Sequence, residues 1–178
     1  MKKACALLAV LFIIFTVAAC AKKSQNNSNA AVELAKPFES TITVHYKDIN
    51  AVVKLAKRQP GYCRLSFTAP EALKDMTVEF TLDKVNIDYK TLRTSFNPST
   101  IPGSALSKML VSAIDKATKE DGVRIEYKDD IMLISGKLEG EGSEFILRID
   151  RNNGNIIRLS VPADDFEAEF LDFNFIAQ

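Results

Sequence analysis

The sequence predicts an α+β fold: a strongly curved antiparallel sheet of about eleven strands, with one helix inserted between the sixth and seventh. Most segments alternate apolar and polar residues with a period of two, as half-buried strands do. Only the stretch from Pro102 to Lys119 has the helical period. Short turns join most strands. A sheet of this size must curl to bury its inner face, and one helix covers only part of that face, which favours a cavity between them.

The predicted helix places its apolar residues at spacings i, i+3, i+4 and i+7, so they share one face. These residues are Leu106, Met109, Leu110, Ala113, Ile114 and Ala117. Pro102 suits the first helical position, or Ser104 caps the helix, and Asp121–Gly122 ends it. Two interpretations remain open. The helix either covers the sheet as ordinary core or forms a lid over an apolar cavity.

Six strands are predicted before the helix, with turns at Asp48–Asn50, Gln59–Gly61 and Asp83–Lys84. Their inward-facing residues are Phe38, Ile42, Val44 and Tyr46; Ala51, Val53 and Leu55; Cys63, Leu65, Phe67 and Ala69; Met76, Val78, Phe80 and Leu82; Val85, Ile87 and Tyr89; and Leu92 and Phe96. A loop from Pro70 to Asp75 separates the third strand from the fourth.

Five strands are predicted after the helix. The segment Ile131–Ser135 is apolar on both faces, as in a strand covered on both sides. Gly136–Gly142 and Asn152–Gly154 form turns, and a change of parity at Leu171–Asp172 indicates a bulge. The other inward residues are Val123, Ile125 and Tyr127; Phe145, Leu147 and Ile149; Ile157, Leu159 and Val161; and Phe166, Ala168, Phe170, Phe173 and Phe175.

The N-terminus has the pattern of an export signal. Lys2 and Lys3 precede an apolar run that is too short to span a membrane, and the run ends at Val17-Ala18-Ala19-Cys20. This box looks like the lipobox of bacterial lipoproteins, in which the cysteine is lipidated and becomes the first residue. The alternative is a plain secretory signal. We expect a signal peptide at 1–19, a lipidated Cys20 with a flexible tether to residue 36, and a folded domain at 37–178, anchored on the extracytoplasmic side of the cell membrane.

Composition and cysteine use argue against several functions. The 178 residues carry 23 basic and 23 acidic side chains, so nucleic acid is not an expected partner. No serine elbow, metal-ligand cluster or phosphate loop is present in the sequence, so neither an enzyme nor a cofactor or metal site is expected. Once Cys5 leaves with the signal and Cys20 is lipidated, Cys63 is left without a disulfide partner. Cys63 shares a face with Leu65, whereas His45 lies on a polar face, which argues against a catalytic pair.

The element order from Phe38 to Phe175 resembles that of the lipoprotein-localisation carrier and receptor proteins (LolA/LolB-like) and of the related sensor domain that regulates envelope-stress anti-sigma factors. Their fold is an incomplete eleven-stranded β-barrel with a lid helix between strands six and seven. A local match covers Leu55–Leu65. The carriers show Lys-Arg-Pro at this turn, and their arginine hydrogen-bonds to the lid. Here Gln59 stands between Arg58 and Pro60.

The resemblance implies a non-catalytic domain that binds an acyl chain, lipid or lipopeptide between sheet and helix. The implied lining is Leu65, Phe67 and Phe80 from the sheet and Leu106, Met109, Leu110 and Ile114 from the helix. Leu73 corresponds in position to an exposed leucine of the receptors that helps deliver cargo to the bilayer, although it could equally tuck under its loop. The alternative function is an interaction or sensor lipoprotein that has a filled core and recognises an envelope protein.

Overall fold

The computed structural model describes residues 34–59, 61–120, 122–138 and 142–176. The predicted signal peptide, Cys20 and most of the predicted tether lie outside the described residues. The strands and the helix, in chain order, are β1 (Phe38–Tyr46), β2 (Ile49–Gln59), β3 (Tyr62–Ala69), β4 (Thr77–Phe80), β5 (Val85–Tyr89), β6 (Leu92–Phe96), α1 (Leu106–Lys119), β7 (Val123–Lys128), β8 (Ile131–Lys137), β9 (Glu144–Asp150), β10 (Ile156–Val161) and β11 (Phe166–Phe175).

All eleven strands belong to one antiparallel sheet in the order β6-β5-β4-β3-β2-β1-β11-β10-β9-β8-β7. The first and last strands of the chain pair at its centre, and β6 and β7 form its two edges. The chain therefore passes from one edge to the other through α1. This is the predicted half-barrel, with the helix between the sixth and seventh strands, and the fold prediction is confirmed.

One face of the sheet, which we call the concave face, packs with α1 into a single apolar core. Alternate residues of each central strand point into it, as the period-two pattern predicts. Leu34, which was predicted to lie in the tether, is also completely buried. The core therefore begins before residue 37.

The helix is shorter than predicted and more deeply buried. It begins at Leu106 rather than Pro102, and its N-cap is Ala105, whose side chain offers no capping hydrogen bond. Its C-cap is Glu120, which adopts the left-handed conformation with φ 53°. Val111, which lies outside the predicted apolar face, is buried as well. A wider arc of the helix surface is therefore buried than the predicted apolar face indicates.

Several strand ends differ from the predictions. The first turn lies at Lys47, where φ is 52°, and Ile49 already belongs to β2. Leu82 lies outside β4 and is 83% exposed. In β10 a register shift turns Ile156 inward instead of Ile157. Sequence periodicity alone does not locate such an irregularity, because it is set by pairing with the neighbouring strand.

The predicted bulge near the C-terminus is confirmed. The register between β1 and β11 shifts between Glu39 and Thr41, and Asp172 has a φ of 48°. The Ser40 hydroxyl donates a hydrogen bond of 2.6 Å to the carbonyl of Leu171 at this point. The bulge keeps Phe173 against the core after Phe170, which explains the change of parity.

The region after the helix departs from prediction at β8. One face of this strand buries Met132 and Ile134, while Ile131 on the other face is only half-buried, so the strand is not fully covered on both sides. Gly136 lies within β8 rather than in a turn. A Cβ at Gly136 would stand 2.9 Å from Val123 Cγ1, so the glycine permits close packing of β7.

Candidate ligand-binding site between the sheet and the helix

The structure brings the predicted lining residues together in one apolar cluster. Its members from the sheet are Leu65, Phe67 and Phe80, and those from the helix are Met109, Leu110 and Ile114, all of them buried, with the partly buried Leu106 packed against them. They meet because the strand residues share the concave face and the helix residues share one stripe. Their role toward a ligand stays a prediction.

The helix is fixed over the C-terminal half of the sheet, where it packs against β8 and β9. Two lysines of the helix bind neighbouring backbone. The Lys108 ammonium donates hydrogen bonds of 3.2 and 2.9 Å to the carbonyls of Pro98 and Ile101, and Lys116 donates one of 2.7 Å to the carbonyl of Lys137. Each lysine therefore ties the helix to a segment outside it.

The N-terminal edge of the sheet is uncovered on its concave face. Leu92 and Phe96 of β6 pair with Tyr89 and Val85 of β5, so they share the inward face of those residues. Yet Leu92 is 69% exposed and Phe96 is 41% exposed. Together with the half-buried Ile87 of β5, they form an open apolar surface, which we call the edge patch.

Sequence reasoning missed Lys57, the most unusual residue of the site. It lies on β2 with the same parity as Leu55, so it points into the core, where it is only 2% exposed. Among the described residues, its amino nitrogen has no hydrogen-bond partner. The strand periodicity contained this signal, but a lysine is by default assigned to solvent.

Two other titratable groups lie near the Lys57 amine. Cys63 pairs directly with Lys57 across β2 and β3, and burial raises the pKa of its thiol to about 12. Asp115 of α1 is half-buried, and this burial raises the pKa of its carboxyl, while the Lys57 amine acts to lower it. The thiol is therefore protonated at neutral pH and is not a nucleophile.

Leu73 is partly buried and packs against the core from the loop between β3 and β4. The loop is held in place from the sheet, because the Tyr89 hydroxyl donates a hydrogen bond of 2.8 Å to the carbonyl of Ala72. A further backbone bond of 3.1 Å joins the Asp75 amide to the carbonyl of Phe67. The membrane-contact role of Leu73 stays a prediction.

Two open clefts, of about 430 and 350 Å³, lie on the opposite face of the sheet and contain no residue of α1. His45, which lines the first, is exposed and lies 2.9 Å from the Asn50 amide oxygen. Cys63 points into the core, so the two residues cannot act as a pair.

Among the described residues, no group of three metal-binding side chains is present. In the same part of the chain, no helix combines the length and apolar character needed to cross a bilayer.

Comparison with known proteins supports the fold. No family model matches the sequence, and a search of curated proteins finds no match. An uncharacterised conserved protein from Thermus thermophilus has a similar structure, with a TM-score of 0.56 and 11% identity over 84% of each chain.

Two other similar structures are a LolA superfamily protein from Nitrosomonas europaea (TM-score 0.46, 9% identity, 84% of this chain and 92% of that one) and a chain in the Clostridioides difficile complex of the CwlD amidase with the GerS lipoprotein (TM-score 0.49, 12% identity, 78% and 86%). At these identities the likeness is one of fold.

Proposed function

We propose that this protein is a membrane-anchored lipoprotein whose half-barrel domain binds the acyl chain of a lipid or lipopeptide on its concave face and has no catalytic role. The edge patch carries the proposal. Large apolar side chains on the inward face of a sheet normally lie under other parts of the protein, but Leu92 and Phe96 are open to solvent. Burying one such side chain contributes about 1.5–3 kcal/mol, so an apolar ligand gains affinity by covering them.

The position of the edge patch favours a ligand that continues under the helix. Ile87 and Val85 on the neighbouring strand β5 extend the apolar face inward, and Val85 is buried in the main core. A flexible chain that covers the patch therefore meets a continuous apolar path toward α1. On the side that does not pack against β8 and β9, the helix would act as a lid over the ligand. Its contacts with those two strands would stay in place.

The predicted lipid at Cys20 fits this role because it would hold the domain close to a bilayer, where acyl chains are available. The resemblance noted in the sequence implies the same kind of ligand. The anchor and the ligand are independent parts of the proposal, because the edge patch is formed without any residue of the N-terminal segment.

The experiment compares two exposed leucines. Leu92 lies in the edge patch, whereas Leu82 lies in the turn between β4 and β5 and is even more exposed. The full-length chain in non-ionic detergent is titrated with cis-parinaric acid, a fluorescent fatty acid, against micelles without protein. We expect Leu92→Ser to weaken binding about tenfold or more, because the substitution removes apolar contact area from the site, and Leu82→Ser to leave it unchanged. Equal binding by both variants and the wild type would contradict the proposal.

A second function rests on a different observation. In the described sheet β6 and β7 each have only one neighbouring strand, so one side of each carries backbone groups that a partner strand could pair with. An envelope protein bound in this way would make the chain an interaction or sensor lipoprotein. Such binding would survive Leu92→Ser and would be weakened by a proline at Thr94, in the middle of β6.

A further inference from the structure

Lys57 carries a buried amine that no described residue satisfies with a hydrogen bond. Its side chain is 2% exposed, and its nitrogen has no hydrogen-bond partner among the described residues. Burying a cationic amine without a partner is costly, and such groups usually have an anion or an acceptor beside them. Asp115 of α1 is near enough to interact electrostatically, but it does not hydrogen-bond to the amine. Among the described residues, the concave face therefore contains a donor without an acceptor.

We propose that Lys57 binds the anionic head of a single-chain lipid, the carboxylate of a fatty acid, with the acyl chain running along the concave face to the edge patch. This inference rests on the proposed acyl-chain function and names the ligand class. The amine would donate charge-assisted hydrogen bonds to the carboxylate, which are stronger than those between neutral groups. A neutral ligand would leave the amine unsatisfied.

The strand register supplies a line of apolar residues of suitable length. Lys57 pairs with Cys63, which in turn begins a line of directly opposed residues that passes through Phe80 and Val85 and ends at Phe96. Directly opposed residues of an antiparallel sheet point to the same face. The line crosses four strand-to-strand steps of about 4.8 Å, or about 19 Å in total. Every residue after Lys57 on this line is apolar, and only Phe96 at its end is substantially exposed.

The surroundings of the amine favour a small head group. Apart from Asp115 of α1, the residues around Lys57 are apolar, with Phe38 opposite it on β1 and Cys63 opposite it on β3. A carboxylate adds few atoms to the end of a chain, whereas a larger polar head would itself need further polar partners, which the described core does not offer. A phosphate-headed single-chain lipid shares the anionic chemistry and is therefore included in the test.

The test compares a fatty acid with its neutral methyl ester, so that binding of the charged head is distinguished from binding of the acyl chain. The full-length wild type, Lys57→Met and Lys54→Met are titrated with cis-parinaric acid and with its methyl ester in the same detergent. Lys54 lies on the same strand with its side chain exposed, so it is the matched control. Competition by lysophosphatidic acid measures whether a phosphate head binds as well as a carboxylate.

We expect the wild type and Lys54→Met to bind the acid at least tenfold more tightly than the ester, and Lys57→Met to bind both with the affinity of the ester. Equal binding of acid by the wild type and Lys57→Met would overturn the assignment of Lys57, yet leave the acyl-chain function standing if the ester binds too. A wild type that binds neither ligand would overturn both. Weaker competition by lysophosphatidic acid than by a fatty acid supports the carboxylate, and stronger competition overturns that choice of head group.

The fold of the variant is checked independently. We expect Lys57→Met to unfold at a temperature no lower than the wild type, because a flexible apolar side chain of similar length replaces an unsatisfied amine. Lys57→Gln is the second neutral variant, and loss of the preference for acid over ester must appear in it as well. A Lys57→Gln protein that keeps the full preference would contradict the proposal.

Discussion

Asp115 on the helix and Lys57 on β2 interact across the interface between α1 and the sheet. Burial raises the pKa of the Asp115 carboxyl, and the attraction of the Lys57 amine only partly opposes this effect. The carboxyl therefore loses more by leaving water than it gains from the lysine. This balance means that the fold favours the protonated form of Asp115 more than the unfolded chain does.

Asp115→Asn should stabilise the protein increasingly as the pH rises. Because the folded-state pKa of Asp115 is raised, its contribution to stability is fully present below the unfolded pKa and is lost as the pH rises through the folded pKa. Asparagine does not ionise, so the variant does not lose this contribution to stability as the pH rises. We expect the melting temperature of the variant, relative to wild type, to be higher at about pH 7 than at about pH 4. An increase in melting temperature over the wild type that is larger at about pH 4 than at about pH 7 would contradict the raised pKa of Asp115.

Leu110→Ala should cost about 2–5 kcal/mol of unfolding free energy, measured by denaturant titration. Leu110 is completely buried on the side of the helix that packs into the core. Lys119 on the same helix is exposed, so Lys119→Ala is the control and should cost little. A loss below about 1 kcal/mol for Leu110→Ala would indicate open space beneath this part of the helix.

Cys63 should resist thiol reagents in the folded protein. With a pKa of about 12 instead of the usual value near 9, its thiolate fraction at neutral pH is reduced about a thousandfold, and burial also blocks access. Alkylation followed by peptide mapping identifies the Cys63 peptide separately from other cysteines. We expect labelling only after denaturant is added. Rapid labelling of this peptide in the native protein would show that the core opens readily there.

The alternation of residues was sufficient to predict the sheet, the approximate position of the helix and the bulge at Leu171–Asp172, because a change in local spacing marks each of them. The two open edges follow from how distant strands pair, which the spacing within one strand does not specify. The exposure of Leu92 was missed for this reason. Its inward parity was correct, but the helix packs on β8 and β9 and leaves β6 uncovered.

The burial of Lys57 was not predicted for a different reason. The parity that assigned Leu55 to the core also assigns Lys57 there, so the sequence contained its position. The residue type argued against an inward position, because lysines are almost never fully buried and a lone lysine in a strand is assigned to the surface. The start of α1 at Leu106 was missed because Pro102 is compatible with a first helical turn but does not require one.

The lipoprotein prediction is tested at Cys20, which lies outside the described residues. Cys20→Ala should release the protein from membranes or leave its signal uncleaved, because the thiol is the predicted site of lipid attachment. Membrane fractionation and gel migration measure both effects. A variant that fractionates and migrates like the wild type would show that the cysteine is incidental to an ordinary signal.

The most direct test of acyl-chain binding is native mass spectrometry of the full-length protein, released from membranes in non-ionic detergent. Collisional activation separates a non-covalent ligand from any lipid attached to Cys20, because only the former dissociates intact. We expect a population of the wild type to carry one single-chain lipid, and this population to shrink in Leu92→Ser but not in Leu82→Ser. A wild type that carries no dissociable lipid, and takes up none when fatty acid is added, would contradict the account.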